Sequence, residues 1–198
     1  MPAEPVPVAC VVLAAGASRR LGQPKQLLPY QGRPLLVHVV ESALATPGLW
    51  PVVVVLGAHQ DKIRPVLTRL PVLVVENPAW AEGMASSLRV GIETALQFSR
   101  RIESVLVTLC DQPDLSTAVF SQLLDRHRTS TSPAVAARYA DQAGAPAILR
   151  RSLFAQLTQL TGDEGARQLF KRLPAEDVAT VELPALARDV DTPADWTG

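Results

Sequence analysis

Cysteine is scarce: Cys10 and Cys110 are the two thiols in 198 residues. They lie far apart, with no histidine or further thiol at ligand spacing, which excludes a disulfide framework and a cysteine-based zinc site. Two buried, unreactive thiols are the expectation. An excess of one charge is missing too, since 19 Lys and Arg balance 19 Asp and Glu. No global positive field exists to hold nucleic acid or an anionic membrane, so neither is an expected partner, and anion binding must come from a local cluster. Long apolar runs are absent. The stretch VACVVLAA is soon interrupted by arginines, and the N-terminal MPAEPVP has no basic residue ahead of an apolar run. Neither a signal peptide nor a membrane span is expected, and the cytoplasm is the expected compartment. Internal repeats, low-complexity tracts and linkers are also missing, which leaves one domain over residues 1–198.

What is present is a large apolar fraction, 47% of residues, arranged in short valine-rich runs. Runs at residues 8–13, 52–56, 72–75 and 105–109 lack alternation, as strands buried on both faces do. Helical spacing fills the gaps at 34–45, 61–70 and 84–98, the first opening on Pro34. The order then loosens. A helix over 116–127 is followed by a strand over 133–139, a turn at 141–144 and a strand over 147–149. Helices over 153–160 and 164–173 and a strand over 178–183 complete the chain, with Thr192 as N-cap and Pro193 as first residue of a last helix. The βαβα alternation predicts an α/β fold: a three-layer, doubly wound, mostly parallel sheet with a small antiparallel element.

The strongest chemical signal is the segment LAAGASRRLGQPK, residues 13–25, placed directly after the first buried strand. In an open parallel sheet, ligands sit beyond the carboxyl ends of the strands, where small residues bring backbone N–H groups to phosphate oxygens. Gly16 and Gly22 permit close approach or positive φ, and Arg19, Arg20 and Lys25 supply cationic donors for a triphosphate. The loop has neither the G-x-x-x-x-G-K-[ST] order of a P-loop nor the G-x-G-x-x-G order of a dinucleotide-binding turn. Asp111 follows the fourth strand in LCDQPDL, and Asp191 follows the last in DVDTPAD. A hard cation such as Mg²⁺ takes one or two carboxylates together with substrate phosphates and water, so these two aspartates are its candidate ligands. Each aspartate alone reads as readily as a helix cap or turn former. His38, His59 and His127 read as surface or cap residues, and Trp50, Trp80 and Trp196 as packing anchors, with Trp80 near enough to residues 83–87 to matter.

Four ordered segments, LAAGASRRLGQPKQLLPYQGRPLL, NPAWAEGMASSLRVGI, LCDQPDL and DVDTPAD, resemble the molybdenum-cofactor nucleotidyltransferases, and among them the cytidylyltransferase branch. The likeness spans nearly the whole chain. It implies a Rossmann-like nucleotidyltransferase fold whose antiparallel element lies on the acceptor side. Leu13, Ala14, Ala15 and Gly16 would border the base, and Arg20, Gly22 and Lys25 would hold the phosphates. Asn77, Gly83, Met84, Ser86 and Ser87 would face base and ribose. Ala15 favours cytosine, because the guanylyl branch typically carries glycine there. LTGDEGARQLF resembles the acceptor-side helix, with Gly162, Asp163 and Gly165 in place, whereas Gly144-Ala145-Pro146 departs from the Gly-His-Pro common in the cytidylyl branch.

The expected partners are therefore CTP or another nucleoside triphosphate, molybdopterin or the molybdenum cofactor, and a maturation chaperone for a molybdoenzyme. The expected reaction is in-line attack of the acceptor phosphate on the α-phosphorus, with Mg²⁺ as cofactor and Lys25, Arg20 and Asp111 as catalytic residues. A guanylyl enzyme, a sugar- or polyol-phosphate transferase and a non-catalytic nucleotide-binding cofactor carrier stand as alternatives.

Overall fold

The computed structural model describes residues 7–196. Residues 1–6, most of the N-terminal stretch in which no signal peptide is expected, lie outside the described residues. The core strand is β1 (Val8–Ala14), buried along its whole length. Successive side chains of a strand point to opposite faces, and β1 feeds two apolar layers for that reason. Val8, Cys10, Val12 and Ala14 join one layer, under α1 (Leu35–Leu44) and α4 (Thr117–Thr129). Ala9, Val11 and Leu13 join the other, under α3 (Met84–Phe98), α5 (Phe154–Thr158) and α6 (Ala166–Arg172). Each fully buried valine or leucine contributes about 1.5–3 kcal/mol, so two filled layers account for a fold without disulfides. Both cysteines lie free in this interior. Burial pushes each thiol up to about 12.

β4 (Leu49–Leu56), β5 (Leu73–Glu76) and β6 (Ser104–Leu109) run parallel to β1. β7 (Ala134–Tyr139), β8 (Gln142–Arg150) and β9 (Val178–Glu182) complete a seven-stranded sheet in the order β5-β4-β1-β6-β8-β7-β9. β8 is antiparallel to both β6 and β7, whereas β9 is parallel to β7. From β1 the chain winds outward through β4 to β5, then returns to the other side of β1 as β6. That reversal opens a crevice beyond the carboxyl ends of β1 and β6, the place where open α/β sheets receive ligands. Gly91 lets α3 settle on the face of β1 and β4: a Cβ would fall 2.3 Å from Val11 Cγ1 and 3.1 Å from Val55 Cγ2.

Local chemistry moved several predicted boundaries. A two-stranded hairpin, β2 (Pro29–Tyr30) with β3 (Arg33–Pro34), turns through Gln31 and Gly32, both at positive φ. Pro34 therefore ends a strand, and α1 starts one residue later. The helix expected over 61–70 is α2 (Gln60–Ile63) followed by a 3₁₀ turn, because Pro65 has no N–H to continue the ladder. The β7–β8 turn sits at Ala140-Asp141, both at positive φ, and β8 begins five residues earlier than predicted, with a register shift beside Ala145 and Pro146. The Thr192-Pro193 helix is one 3₁₀ turn, Pro193–Asp195. Thr192 stands at its N-cap position, as expected, and Asp195 Oδ2 accepts from the Thr192 N–H at 2.7 Å and its hydroxyl at 2.8 Å. Among the described residues no helix is long and apolar enough to cross a membrane.

Candidate active site

Residues 15–25 leave the end of β1 and fold over the crevice. Gln26, fully buried, donates Nε2 to the carbonyls of Ala14 and Gly16 at 2.8 and 3.0 Å and so fixes the start of this loop. Ser18, at positive φ, accepts the Lys25 N–H on its hydroxyl at 3.1 Å, which closes the loop and aims Lys25 inward. Cys110 and Asp111 come off the adjacent β6. After β9 and a 3₁₀ turn, the Val190 N–H donates to the Asp111 carbonyl at 2.9 Å, bringing Asp191 alongside. Three segments distant in the chain thus converge on Lys25. Its Nζ donates to Asp111 Oδ2 at 2.6 Å and Asp191 Oδ1 at 3.3 Å, while Arg20 pairs with Asp191 Oδ2 at 2.7 Å from a largely exposed position.

Burial pulls the Lys25 ammonium down, but the charge and hydrogen bond of Asp111, with Asp191 beyond it, outweigh that and hold it above the usual lysine range. Lys25 is therefore cationic at neutral pH. Asp111 Oδ1 is buried with no hydrogen-bond partner. Asp189 also faces this charge: partial desolvation and the nearby Asp111 and Asp191 raise its carboxyl above the usual range. Among the described residues no three His, Cys, Asp or Glu side chains form a ready-made metal cage. Two carboxylates with one unspent buried oxygen do fit a hard divalent cation that draws its remaining ligands from phosphates and water.

Two adjoining cavities open at this point. The first, about 370 Å³, is lined by Leu13, Ala15, Gly16, Arg19, Lys25, Gly83, Met84, Ser87 and Asp111, among others. Trp80 also lines it, so the tryptophan nearest the second segment belongs to the site. The second, about 250 Å³, has apolar walls from Leu88, Val107, Leu109, Leu186 and Ala187, with Ala145, Gly165 and Arg167 at its far side. Leu13, Met84, Leu109, Asp111 and Asp163 border both. Gly83, in the wall of the first cavity at φ 107°, meets residues 162–163 backbone to backbone beside Asp163: a Cβ on it would fall 2.3 Å from the Gly162 carbonyl.

Not every predicted residue lines a cavity. Ala14 points into the α1/α4 layer and Gly22, at positive φ, closes a turn onto the Ser18 carbonyl. Asn77 and Ser86 lie beneath the first cavity. Asn77 Nδ2 donates to the hydroxyls of Ser86 and Ser87 at 2.8 and 2.9 Å, and Ser86 donates to the Ala79 and Gly83 carbonyls. These two residues support Ser87 and the start of α3, and Ser87 faces the space. Gln26, Gln112 and Asp189 were not singled out from sequence: an uncharged amide carries no pattern until burial is known, and Asp189 sits in the shadow of Asp191. His38 and His127 are buried, not surface residues; His38 Nε2 donates to the Leu115 carbonyl at 2.8 Å, and His127 lies 3.1 Å from the Ser104 hydroxyl. Trp50, expected to be packed, is 45% exposed against Phe98.

A doubly wound sheet with a cationic loop, a paired lysine and carboxylates at its switch point defines a nucleotidyltransferase. The chain belongs to the family described as MobA-like NTP transferase domain, whose model matches residues 10–178. It is 35% identical over 190 residues to nicotine blue oxidoreductase of Paenarthrobacter nicotinovorans, covering 92% of this chain and 91% of that one. It is 30% identical over 200 residues to a probable molybdenum cofactor guanylyltransferase of Rhodopirellula baltica, covering 98% and 92%. Among solved structures, Rv0371c of Mycobacterium tuberculosis H37Rv superposes with TM-score 0.81 at 30% identity, covering 96% and 95% of the two chains. The same protein in complex with manganese gives TM-score 0.77 at 28% identity over the same shares.

Proposed function

We propose that this nucleotidyltransferase moves CMP from CTP to the terminal phosphate of molybdopterin or the molybdenum cofactor, in the cytoplasm, and releases pyrophosphate. One observation carries the reading: Lys25 Nζ lies between Asp111 and Asp191 at the sheet's switch point, under a loop that also offers Arg19 to the first cavity and Arg20 to Asp191. A protein that only stores a nucleotide has no need of this convergence. The first cavity would take the triphosphate and the second the acceptor, with Asp111 between them.

An acceptor phosphate oxygen forms the new bond to the α-phosphorus, and the bond from that phosphorus to the bridging oxygen breaks, leaving its electron pair on pyrophosphate. A phosphate monoester is largely ionised near neutral pH, so no side chain has to abstract a proton. Lys25, largely buried, neutralises charge that grows on the departing oxygens where water does so less well, and Arg20 adds its charge from the exposed rim. Asp111 and Asp191 would hold Mg²⁺, which supplies Lewis-acid polarisation of the α-phosphate when bound. The manganese complex of the M. tuberculosis relative supports a divalent ion in this fold. Ala15, lining the first cavity, supports cytosine: its methyl narrows the space that a glycine would leave open. The product would pass to a molybdoenzyme or its maturation chaperone.

A guanylyl reading is favoured by the name of the R. baltica relative, and an oxidoreductase reading by that of the P. nicotinovorans relative. Incubation with labelled CTP or GTP, Mg²⁺ and molybdenum cofactor separates them. A labelled cytosine dinucleotide with stoichiometric pyrophosphate is expected. A guanine dinucleotide would overturn the choice of base, and pyrophosphate release with a sugar 1-phosphate but not with the cofactor would overturn the acceptor.

A further inference from the structure

Two glutamines stand in the walls of the site and use their amides alike. Gln26 donates Nε2 to the Ala14 and Gly16 carbonyls, and Gln112 donates Nε2 to the Leu186 carbonyl at 2.9 Å. Each contact settles which end of the amide is nitrogen, because the reverse orientation would set oxygen against oxygen. Each Oε1 is buried and has no hydrogen-bond partner. Native folds satisfy nearly all such atoms, so a fixed and unspent acceptor asks for a ligand.

Gln112 is the more telling of the two. It follows Asp111 directly, is 2% exposed and lines the second cavity. Other polar groups there are already committed: the Tyr139 hydroxyl donates to the Ala145 carbonyl at 2.8 Å, and Gln168 Oε1 accepts the Gly165 N–H at 3.1 Å. Arg167 adds a donor and Asp189 a carboxylate toward the solvent side. Resting on the transferase reading above, we infer that Gln112 is a specificity-determining residue for the acceptor, its Oε1 accepting a hydrogen bond from an N–H or O–H group near the reacting phosphate. An acceptor presenting a carbonyl or ether oxygen at that place would face another oxygen and be rejected.

Gln112→Met keeps the length and removes the amide. Equilibrium dialysis with molybdenum cofactor as one probe and CTP with Mg²⁺ as the other provides the test. The variant should lose about tenfold to a hundredfold in cofactor affinity, the scale of one buried hydrogen bond left unmade, and hold CTP within about twofold. A purely structural role would act through Leu186 on the segment carrying Asp189 and Asp191, and would weaken both ligands together; that outcome overturns the inference. Unchanged cofactor affinity overturns it as well, while leaving the transferase reading intact. Wild-type protein that binds CTP but no cofactor overturns the acceptor reading, and the assignment of Gln112 with it. Should the methionine variant fail to fold, Gln112→Asn withdraws the oxygen by one methylene, and the same split between ligands is expected.

Discussion

The two halves of the sheet divide the labour of the site. β5, β4, β1 and β6 run parallel, and the loops at their carboxyl ends bring the cationic residues and Asp111 to the first cavity. β8 alone runs against that direction, between β6 and β7; with β7 and β9 it brings Ala145 and Tyr139 to an apolar wall and returns the chain so that Asp189 and Asp191 reach the same point. Parallel strands place all their ends on one rim, which concentrates charge for a polyphosphate. The mixed half, with its one reversed strand, adds shape opposite that charge. On the proposed reading, nucleotide chemistry and acceptor choice would be carried by different parts of one sheet, joined at Asp111 and Lys25.

Substitutions can break or sharpen this division, beginning where both halves meet. Asp111→Asn should lower metal-dependent turnover by about 10³-fold or more while circular dichroism and the unfolding midpoint stay close to wild type. Substantial activity in that variant would leave the carboxylate pair without a role. Lys25→Met, in the parallel half, should lower turnover by about 10²-fold or more, with a smaller loss of CTP affinity, in single-turnover assays. Gly83→Ala strikes the seam: positive φ and a Cβ 2.3 Å from the Gly162 carbonyl should together cost roughly 2 kcal/mol or more in urea unfolding. Both ligands should weaken together in that variant, and loss of one alone would show that the cavities are less joined than their geometry says.

The smallest effect lies in the mixed half, away from either cavity. Burial, with Arg150 and Arg128 nearby, lowers His127 from 6.5 to about 4. The unfolded chain then binds a proton that the folded chain refuses. Above pH 6.5 nothing is lost, and stability declines as pH falls from 6.5 towards 4. The urea midpoint should drop from pH 7 to pH 5 by more in wild type than in His127→Gln, and equal drops would remove His127 from the account.

The same division explains what could be read from sequence. Valine runs without alternation belong to strands covered on both sides, so β1, β4, β5 and β6 were legible from the letters, and with them the rim that holds Lys25 and Asp111. The mixed half was less so. Ala145 and Pro146 interrupt the pairing of β8, and Ala140-Asp141 makes a turn at positive φ without glycine, so neither boundary has a strong local signal. The β2–β3 hairpin rests on Gln31-Gly32, a weaker turn signature than Asn-Gly or Asp-Gly. Charge clusters announce themselves; Gln26 and Gln112 do not, because their importance comes from being buried with one atom unspent. Asn77 and Ser86 show the converse, polar residues within a nucleotide-like motif whose bonds all close on their own neighbours.

The contact of Gly83 with the peptide joining Gly162 to Asp163 sets bare backbone in the wall beside Asp163, a residue common to the two chambers. Side chains can swap rotamers or be exchanged for larger or smaller ones, but a peptide plane has neither freedom. Point changes can thus refit either chamber to a new occupant, while the spacing at which two occupants confront each other is inherited with the fold.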